Sequence, residues 1–421
     1  MWQVADDSIV YLLSQSGESL LHLFWFVIIF EFPRYMLAFV SVALLSFHQH
    51  KPRHFGDSAS RITVVIAGHN EEASIERCVL CLREQKRPPD EIIVISDGST
   101  DGMPRKLQEL RARGLIQEAH CTQLRAGKSA ALNLGFCRAT GDVVINVDCD
   151  CTFDRRAIEE IVQPFEHAEI GAVVGNIVVR KPHASLMSGF QAIEYLITIS
   201  QGRRAANFTN QVTCISGAFG AFRRSALERV GGFDAGGGED LDLTLRLREA
   251  GWKMVFAPDA TCYTDPPATL GAFTRQRFRW ERDAIRLRFR KHRALLNPFS
   301  RQFKVGELLH ELDFMAFNVV AAIALPFYIV WLFLTCGDLA PIILVAAQIG
   351  MLVLDTVTFL LATWLTPRVN SLALMPYLLG YSVFYGLIMR FIRLAAYLQE
   401  WVFRASYEDS FVPMKVHRVR K

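Results

Sequence analysis

The sequence predicts an α/β domain with a mainly parallel sheet, inserted between membrane-spanning helices. Long uncharged runs occupy both ends of the 421-residue chain, whereas charged residues collect between about 50 and 310. Within that middle region, short apolar strands alternate with helical patterns, as expected where helices connect parallel strands. The formal net charge is only +4, so the composition gives little support to a nucleic-acid partner.

The middle region is predicted to fold as strands and helices in alternation. Short apolar runs predict strands at 61–67, 91–95 and 142–147. Apolar residues at helical spacing predict helices at 72–85, 104–113, 128–138 and 241–250. Helices in this order connect parallel strands, so ligands are expected at the carboxyl ends of the strands.

Hydrophobic segments flank the middle region. Residues 20–47 are apolar apart from Glu31 and Arg34, and about 20 residues suffice to cross a bilayer. Three further apolar segments follow the middle region, at 312–335, 339–365 and 371–389. The chain therefore divides into an N-terminal segment at 1–19, a transmembrane segment at 20–47, a cytoplasmic domain with interfacial helices at 51–300, a membrane region at 301–399 and a basic tail at 400–421.

The charge distribution places the middle region in the cytoplasm. No Lys or Arg precedes Leu20, whereas Lys51, Arg53 and Arg61 follow the first span, and cytoplasmic flanks carry the excess of basic residues. We therefore expect a multi-pass protein of the inner (plasma) membrane. Four spans would leave the basic tail outside, against the same rule. Either the first segment crosses twice, bent at Pro33, or the last lies partly in the interface.

The nine cysteines form no paired framework. Cys78 and Cys81 make a CxxC without a second pair, which favours small buried residues in a reducing compartment over a metal site. Cys149 and Cys151 alternate with two aspartates, so their side chains should point into the domain.

Carboxylates follow two of the predicted strands. Asp97 comes after the second strand, and Asp148-Cys149-Asp150 comes after the third. Two carboxylates one residue apart at a sheet edge suit a hard divalent cation that also binds substrate phosphates, although a solvated turn is the alternative. Asp97 either binds a nucleotide base or ribose, or caps the next helix.

Two predicted helix starts carry further candidates. Lys128 opens a helix after Gly127, where backbone amides form an anion site, with a solvated lysine as the alternative. Glu239 and Asp240 follow three glycines, and Asp240 is either a general base or the helix N-cap. Nine of the nineteen residues at 275–293 are Lys or Arg, which favours an amphipathic helix on anionic headgroups over RNA binding.

In their order, these motifs resemble those of the membrane-bound family 2 glycosyltransferases, which include bacterial poly-N-acetylglucosamine, chitin, hyaluronan and cellulose synthases. The motifs that match are Asp97 in SDGST, the DxD of Asp148 and Asp150, SGAFGAFRR at 216–224, Gly238-Glu239-Asp240 in place of TED, and Gln276-Arg277-Phe278-Arg279-Trp280. The resemblance covers roughly residues 60–295 and implies a GT-A type nucleotide-sugar fold. Within the family, the poly-N-acetylglucosamine and chitin-oligomer branch is the most similar.

The resemblance implies a role for each matching residue on the donor side. Asp97 and Lys128 would hold the uridine and diphosphate of a UDP-sugar. Asp148 would contact the nucleotide, and Asp150, with Asp148 beside it, would hold Mg²⁺ or Mn²⁺.

On the acceptor side, the resemblance implies that Asp240 deprotonates the attacking hydroxyl. Arg279 would stabilise the departing UDP and Trp280 would stack on the acceptor sugar. The other residues of these motifs count as substrate-binding: Glu239, Gln276 and Arg277. A single base without a covalent intermediate implies inversion, so that an α-linked donor gives a β-linked product.

The sequence departs from the family pattern near the acceptor side. Gly238 replaces the motif's threonine, which suggests a looser base loop. Glu281-Arg282-Asp283 follows Trp280, where many relatives carry small residues, and this bears on the acceptor and on chain length. The segment between Trp280 and Leu312 lacks the gating motif of cellulose synthases.

Together these expectations describe an inverting UDP-sugar-dependent transferase that extends a β-linked polysaccharide, with N-acetylglucosamine as the candidate sugar, and passes it outward. One rival adds a single sugar to a lipid acceptor by the same chemistry. Another, an inactive membrane scaffold, is disfavoured because Asp97, Asp150 and Asp240 are all present. Inside the third hydrophobic span, Asp355 either lines a path for the polymer or bonds to a neighbouring threonine, Thr356 or Thr358.

Overall fold

The computed structural model describes residues 10, 14–47, 60–208, 212, 214–300, 303, 305–366 and 370–408. These residues form an α/β domain between 60 and 300, with apolar helices before and after it in sequence. Lys51 and Arg53, on which the predicted sidedness depends, and most of the basic tail lie outside the described residues.

The described part of the α/β domain is built on an eight-stranded mixed sheet. Its strands are β1 (Ile62–Gly68), β2 (Glu91–Asp97), β3 (Glu118–Thr122), β4 (Val143–Val147), β5 (Thr152–Phe153), β6 (Ile170–Val179), β7 (Phe219–Arg223) and β8 (Lys253–Thr264). They lie in the order β3-β2-β1-β4-β7-β6-β8-β5. The pairs β3–β2, β2–β1 and β1–β4 are parallel, whereas β7 runs antiparallel to β4 and β6. The carboxyl ends of β1, β2 and β4 therefore meet at one edge.

The three predicted strands are confirmed as β1, β2 and β4, within two residues at each end. Strand β3 was not predicted, because its sequence EAHCT has no apolar run and it lies partly exposed at the sheet edge. The antiparallel β7 was also missed. It carries the predicted acceptor-side loop SGAFGAFRR into the middle of the sheet, beside β4.

Helices cover both faces of the sheet and form the rest of the described chain. They are α1 (Gly17–Leu23), α2 (Phe32–Phe47), α3 (Glu72–Arg83), α4 (Met103–Ala112), α5 (Lys128–Arg138), α6 (Ala157–Val162), α7 (Leu186–Glu194), α8 (Gly202–Phe208), α9 (Arg224–Val230), α10 (Glu239–Glu249), α11 (Leu270–Arg286), α12 (Val305–Phe314), α13 (Ala321–Cys336), α14 (Ala340–Leu365), α15 (Leu378–Val383) and α16 (Met389–Phe403). The four predicted helices are confirmed as α3, α4, α5 and α10. A π-helical turn, Leu287–Lys291, continues α11.

Strand β1 supplies side chains to two hydrophobic cores, one on each face of the sheet. Val64 and Ile66 are fully buried in the core beneath α3 and α4, and Val65 is buried in the core beneath α5. Burial of each such side chain contributes about 1.5–3 kcal/mol. Gly135 lets α5 approach closely, since a Cβ atom there would lie 2.3 Å from Cγ1 of Val65.

Two helical stretches of the described chain, Val305–Leu365 and Ser371–Phe403, are long and apolar enough to cross a membrane. The first contains a turn at Gly337, where φ is +52°, and Leu332 and Ile343 on either side share one buried cluster. The predicted segments 312–335 and 339–365 lie on either side of this turn. A bent pair, Gly17–Leu23 and Val27–Leu37, is a third candidate span.

The predicted bend at Pro33 is wrong. The chain turns by 79° between Leu23 and Val27, ahead of the proline. Pro33 lies inside the helical stretch Val27–Leu37, directly after a π-helical turn at Val27–Glu31.

Polar contacts tie the first apolar segment to the last two. A buried ion pair joins Glu31 to Arg390 of α16, and the Tyr35 hydroxyl donates a hydrogen bond to Asp355 Oδ1 at 2.5 Å. The hydroxyls of Thr356 and Thr358 bond instead to backbone carbonyls of their own helix. The expectation that Asp355 bonds to one of these threonines is therefore wrong, because its partner is Tyr35.

Replacement of Gly135 by alanine should destabilise the α/β domain. The new methyl group would collide with the short, branched Val65 side chain, and such overpacking costs about 1–3 kcal/mol. We expect a lower melting temperature of the detergent-purified protein. Gly350→Ala is the matched control, because a Cβ there meets no atom within 4 Å. Equal melting temperatures for the two variants would contradict this packing.

Candidate active site

Asp97 holds the loop that leads into α5. Its buried carboxylate accepts hydrogen bonds from the backbone N–H groups of Ala126 and Gly127, both at 2.7 Å. The alternative that Asp97 caps the next helix is wrong, because the N-cap of α4 is Gly102. Asp97 thus shapes the backbone that precedes Lys128.

Lys128, the first residue of α5, connects two other parts of the site. Its ammonium group lies 2.5 Å from Asp148 Oδ1 after β4 and 3.7 Å from Glu239 Oε1 at the start of α10. The alternative of a solvated lysine is therefore wrong. Burial disfavours the charged form, but the adjacent carboxylates outweigh it and raise the pKa of Lys128 above its usual range.

The DxD residues stand where β4 ends. Cys149 and Cys151 are buried in the core, as predicted. Asp150 Oδ2 accepts a hydrogen bond from the Thr264 hydroxyl at 3.1 Å. Burial raises the pKa of Asp148, with Lys128 acting in the opposite direction.

The donor chemistry of the DxD fits a hard divalent cation with an incomplete protein shell. Among the described residues, no group of three or more His, Cys, Asp or Glu side chains is arranged to hold a metal ion. Lys128 engages one oxygen of Asp148. Asp150 and the second oxygen of Asp148 are therefore the available ligands, and substrate phosphates or water would have to supply the rest.

Glu239 and Asp240 begin α10 next to this ion pair. The helix N-cap is Gly238, with φ of +65°, so the alternative that Asp240 caps the helix is wrong. Asp240 Oδ2 accepts a hydrogen bond from the Gly217 N–H at 3.4 Å. Burial raises the pKa of Glu239 to about 7, although Lys128 opposes the shift.

A cavity of about 240 Å³ opens between the start of α5 and the loop before α10. Lys128, Ser129 and Glu239 contribute polar groups to its wall, and Phe233 and Gly236 line the opposite side. The helix N-terminus and the ammonium group make this cavity suitable for an anion.

The Gln276–Trp280 motif lies on α11. Arg277 is buried, and its two terminal guanidinium nitrogens, Nη1 and Nη2, donate to the carboxylate of Glu194, the last residue of α7. Its guanidinium carbon also lies 4.6 Å from the ring centre of Trp280, which is 42% exposed. Arg277 is thus fixed by Glu194, and the Trp280 ring is held with one side open.

The basic segment at 275–293 is largely engaged inside the protein. Five of its nine cations pair with carboxylates: Arg277 with Glu194, Arg286 with Asp283, Arg288 with Glu311, Arg290 with Glu400, and Lys291 with Asp234 and Asp242. The expectation that most of this segment rests on lipid headgroups is therefore wrong. Apart from Asp283, three residues before Arg286, the acidic partners are distant in the sequence, so that spacing gave no sign of them.

Comparison with known proteins identifies part of the α/β domain. Residues 63–231 match the family described as glycosyl transferase family 2. This part of the chain is a family 2 glycosyltransferase domain.

Similarity extends beyond the matched residues. Over 259 residues the chain is 32% identical to the poly-beta-1,6-N-acetyl-D-glucosamine synthase of Staphylococcus aureus (strain COL). This alignment covers 60% of each chain. The protein of the same name from Staphylococcus epidermidis is 28% identical over 264 residues, covering 62% of this chain and 61% of that one. The alignment thus spans about 60% of the length of these curated relatives.

A solved structure shares the fold of the glycosyltransferase domain. It is the mannosyltransferase PcManGT from Pyrobaculum calidifontis in complex with GDP-Man and Mn²⁺, with a TM-score of 0.59, 20% identity, and coverage of 82% of this chain and 98% of that chain. The fold is therefore GT-A-like, with a mixed, mainly parallel sheet, as predicted.

Two residues near the glycosyltransferase motifs were missed in the sequence. Glu194 anchors Arg277, and it also accepts a hydrogen bond from Tyr385 at 2.7 Å. Arg180 donates to the backbone carbonyl of Asp150 and pairs with Asp265 at 2.8 Å. The sequence contains a signal for Glu194, since it is an acid within the apolar stretch before SGAFGAFRR. The sequence contains no comparable signal for Arg180.

Replacement of Asp97 by alanine should loosen the loop before Lys128. Two N–H groups lose their acceptor, and each unsatisfied buried group costs about 1–3 kcal/mol. We expect faster hydrogen exchange at Ala126 and Gly127, measured by mass spectrometry. Asp97→Asn keeps one acceptor oxygen and should give an intermediate rate. Unchanged exchange in both variants would show that the carboxylate does not hold the loop.

Proposed function

We propose that this protein is an inverting, metal-dependent glycosyltransferase that moves a sugar from a UDP-sugar onto a growing β-linked polysaccharide, with N-acetylglucosamine as the candidate sugar. One observation carries the proposal. Lys128 contacts both Asp148 and Glu239, so the predicted donor, metal and base motifs converge in one place. The named activity of the staphylococcal relatives supports a glycan product.

The donor would bind across the carboxyl ends of the strands. Asp97 holds the loop against which the uridine would lie, and the Lys128 ammonium meets the diphosphate beside the amides at the start of α5. Glu239 also contacts the Lys128 ammonium group and helps to hold it in place. The charge of the lysine and the helix N-terminus favours a diphosphate over a neutral ligand.

Asp150 and Asp148 would hold Mg²⁺ or Mn²⁺, whose charge offsets that of the diphosphate when it is bound. Thr264 fixes the orientation of the Asp150 carboxylate by its hydrogen bond. Because Lys128 already engages Asp148, Asp150 is the principal protein ligand in this proposal.

Asp240 acts as the general base of a single displacement. Its carboxylate takes the proton of the acceptor hydroxyl while the acceptor oxygen bonds to the anomeric carbon. The bond from that carbon to the diphosphate oxygen breaks at the same time, and UDP leaves with the electron pair. Arg279 lies on the helix that would meet this departing charge. The anomeric configuration is inverted.

The acceptor would approach from the side of α11. The open side of the Trp280 ring would stack on a sugar, and Arg277 and Glu194 hold the ring in position. Gln276 and Glu239 are further candidates for hydrogen bonds to the substrates. We place the domain at the cytoplasmic face of the inner membrane, with the apolar helices in the bilayer and the product passing outward.

Replacement of Asp240 by asparagine should abolish most turnover without loss of donor binding. The amide cannot accept the proton, and general-base catalysis is worth about 10²–10⁴-fold in rate. We would supply the detergent-purified protein with a panel of UDP-sugars and Mg²⁺ or Mn²⁺, and measure UDP release and product length. Asp338→Asn, in the exposed turn before α14, is the control and should retain full activity.

The products of that assay discriminate between the functions. Long enzyme-associated chains from one donor would establish a polysaccharide synthase. UDP release that requires an added lipid, with one sugar transferred, would identify a glycolipid transferase instead. An Asp240→Asn variant as active as the unaltered protein would overturn the proposed base.

Replacement of Lys128 by methionine should weaken UDP binding about tenfold to a hundredfold, the equivalent of losing a charge-assisted hydrogen bond of about 1.5–3 kcal/mol. Calorimetric titration of UDP measures the change. Lys106→Met is a suitable control, because Lys106 pairs with Glu76 and Glu109 on the surface of α4. Similar UDP affinities for the two variants would contradict a diphosphate role for Lys128.

A further inference from the structure

The segment that follows the Gln276–Trp280 motif contacts the base loop directly. We call this segment, Asp283 to His292, the clamp; it comprises the last turn of α11, the π-helical turn and the histidine after it. Three independent sets of contacts connect it with the loop before Asp240, with helix α10 and with the membrane helices.

The first set joins the clamp to the glycines before Asp240. Arg286 Nη2 donates to the carbonyl oxygen of Gly237 at 2.6 Å, and Asp283 holds the same guanidinium at 2.7 Å. A Cβ on Gly237 would lie 2.5 Å from the Asp283 carboxylate, and one on Gly238 would lie 2.9 Å from Leu287. The base loop therefore packs against the clamp without space for a side chain at Gly237 or Gly238. The loop is closely packed, and the looser base loop expected from Gly238 is wrong.

The second set joins the clamp to α10, the helix that carries Asp240. His292 is 4% exposed, and its Nε2 and Nδ1 atoms lie 2.9 Å from Asp242 and 2.9 Å from Glu249, respectively. These two acids are seven residues apart and so share one face of the helix. Only the protonated imidazole can donate from both nitrogens, which makes His292 a cationic bridge across two turns of α10.

The third set fixes the clamp on the membrane side. Arg288 pairs with Glu311 of α12, and Arg290 Nη1 lies 2.5 Å from Glu400 of α16. Just before the clamp, Glu281 accepts hydrogen bonds from Arg393 and Tyr397 of α16 at 3.0 and 2.6 Å. The clamp thus has partners on the base helix and on helices of the candidate spans.

We propose that the clamp fixes the position of the base loop relative to the membrane helices, and that His292 is a positioning residue for Asp240. His292 acts through α10, since its partners Asp242 and Glu249 lie on the helix that begins at Glu239. This inference rests on the proposed function and adds to it a residue outside the family motifs. It also gives the unusual Glu281-Arg282-Asp283 sequence a structural role.

The charge state of His292 provides a distinguishing property. Burial favours the neutral ring, but the hydrogen bonds with Asp242 and Glu249 outweigh it and raise the pKa of His292. The stabilisation is therefore complete below the unfolded pKa of about 6.5 and is lost as the pH rises through the higher folded value. The other charged groups around the bridge are Lys291 and Arg246, both of which pair with Asp242.

The experiment compares His292→Gln with the unaltered protein. A single amide nitrogen cannot span both carboxylates, so α10 should shift and kcat should fall about tenfold to a hundredfold, as small misplacements of a catalytic group do. UDP affinity and the KM for the donor should remain within about twofold, because Lys128 and Asp97 are untouched. His120→Gln is the matched control: His120 also pairs with a carboxylate, Glu118, but lies on the edge strand β3.

The pH profile separates positioning from general stability. The unaltered protein should lose kcat at alkaline pH as His292 deprotonates, and this decline should be absent from His292→Gln at temperatures where both are folded. An unchanged kcat, or the same alkaline decline in the variant, would overturn the proposal. If His292→Gln does not fold, Arg286→Lys keeps a cation beside Asp283 but loses the guanidinium contacts with the Gly237 carbonyl and the Tyr407 ring, and it should likewise lower kcat at constant KM.

A measurement independent of activity separates failure of this inference from failure of the proposed function. Hydrogen exchange of peptides within 236–249 should accelerate in His292→Gln and remain unchanged in His120→Gln, whether or not any donor is turned over. Faster exchange in that region would support the clamp even in a protein without transferase activity. Unchanged exchange would overturn it even if turnover were demonstrated.

Discussion

The ammonium group of Lys128 is the interaction on which the site depends. Asp148 follows β4, and Glu239 and Asp240 begin α10, so three acids from two elements lie around one cation. Burying carboxylates without a partner is unfavourable by several kcal/mol per ion, which means that the lysine is what allows these acids to lie together. Gly127, with φ of +94°, and the Asp97 carboxylate place the lysine at the first position of α5. In the proposed function, binding of the donor here is an exchange of partners around an existing charge, rather than the filling of a neutral cavity.

Charge pairing also explains why α11 differs from a lipid-bound helix. The arginines of α11 and of the π-helical turn after it have acidic partners in α7, α12 and α16, so this segment is held by specific contacts rather than by surface potential alone. Acidic residues within the same segment belong to this arrangement. Glu281 and Asp283 bond to α16 and to Arg286, respectively. The acceptor side of the domain and the apolar helices thus form one connected unit.

Much of the fold could be predicted from the sequence because its signals are local. Strands β1, β2 and β4 are short apolar runs, and α5 and α10 start at charged residues after glycines. Asp97 contacts the loop before Lys128, and Lys128 contacts Asp148, as expected where the ends of parallel strands meet. Long-range pairing gave no such signal. The partner of Arg277 is 83 residues away and that of Arg290 is 110 residues away, so composition suggested solvated or lipid-facing cations where the structure has ion pairs. Strand β3 was missed because an edge strand with exposed side chains needs no apolar pattern.

The pair between Glu31 and Arg390 has a consequence for biogenesis. The two residues are separated by 359 positions, whereas Arg34, at 3.3 Å from Glu31, is only three residues away. During translation the acid therefore emerges with one cationic partner, and the second follows only after the whole α/β domain has left the ribosome. An acid inside an apolar segment is costly in hydrocarbon unless it is paired. In the proposed membrane arrangement, packing of the N-terminal segment against α16 is thus a late step of assembly. Truncated products lacking α16 would retain only the partly exposed Arg34 as a partner for this acid.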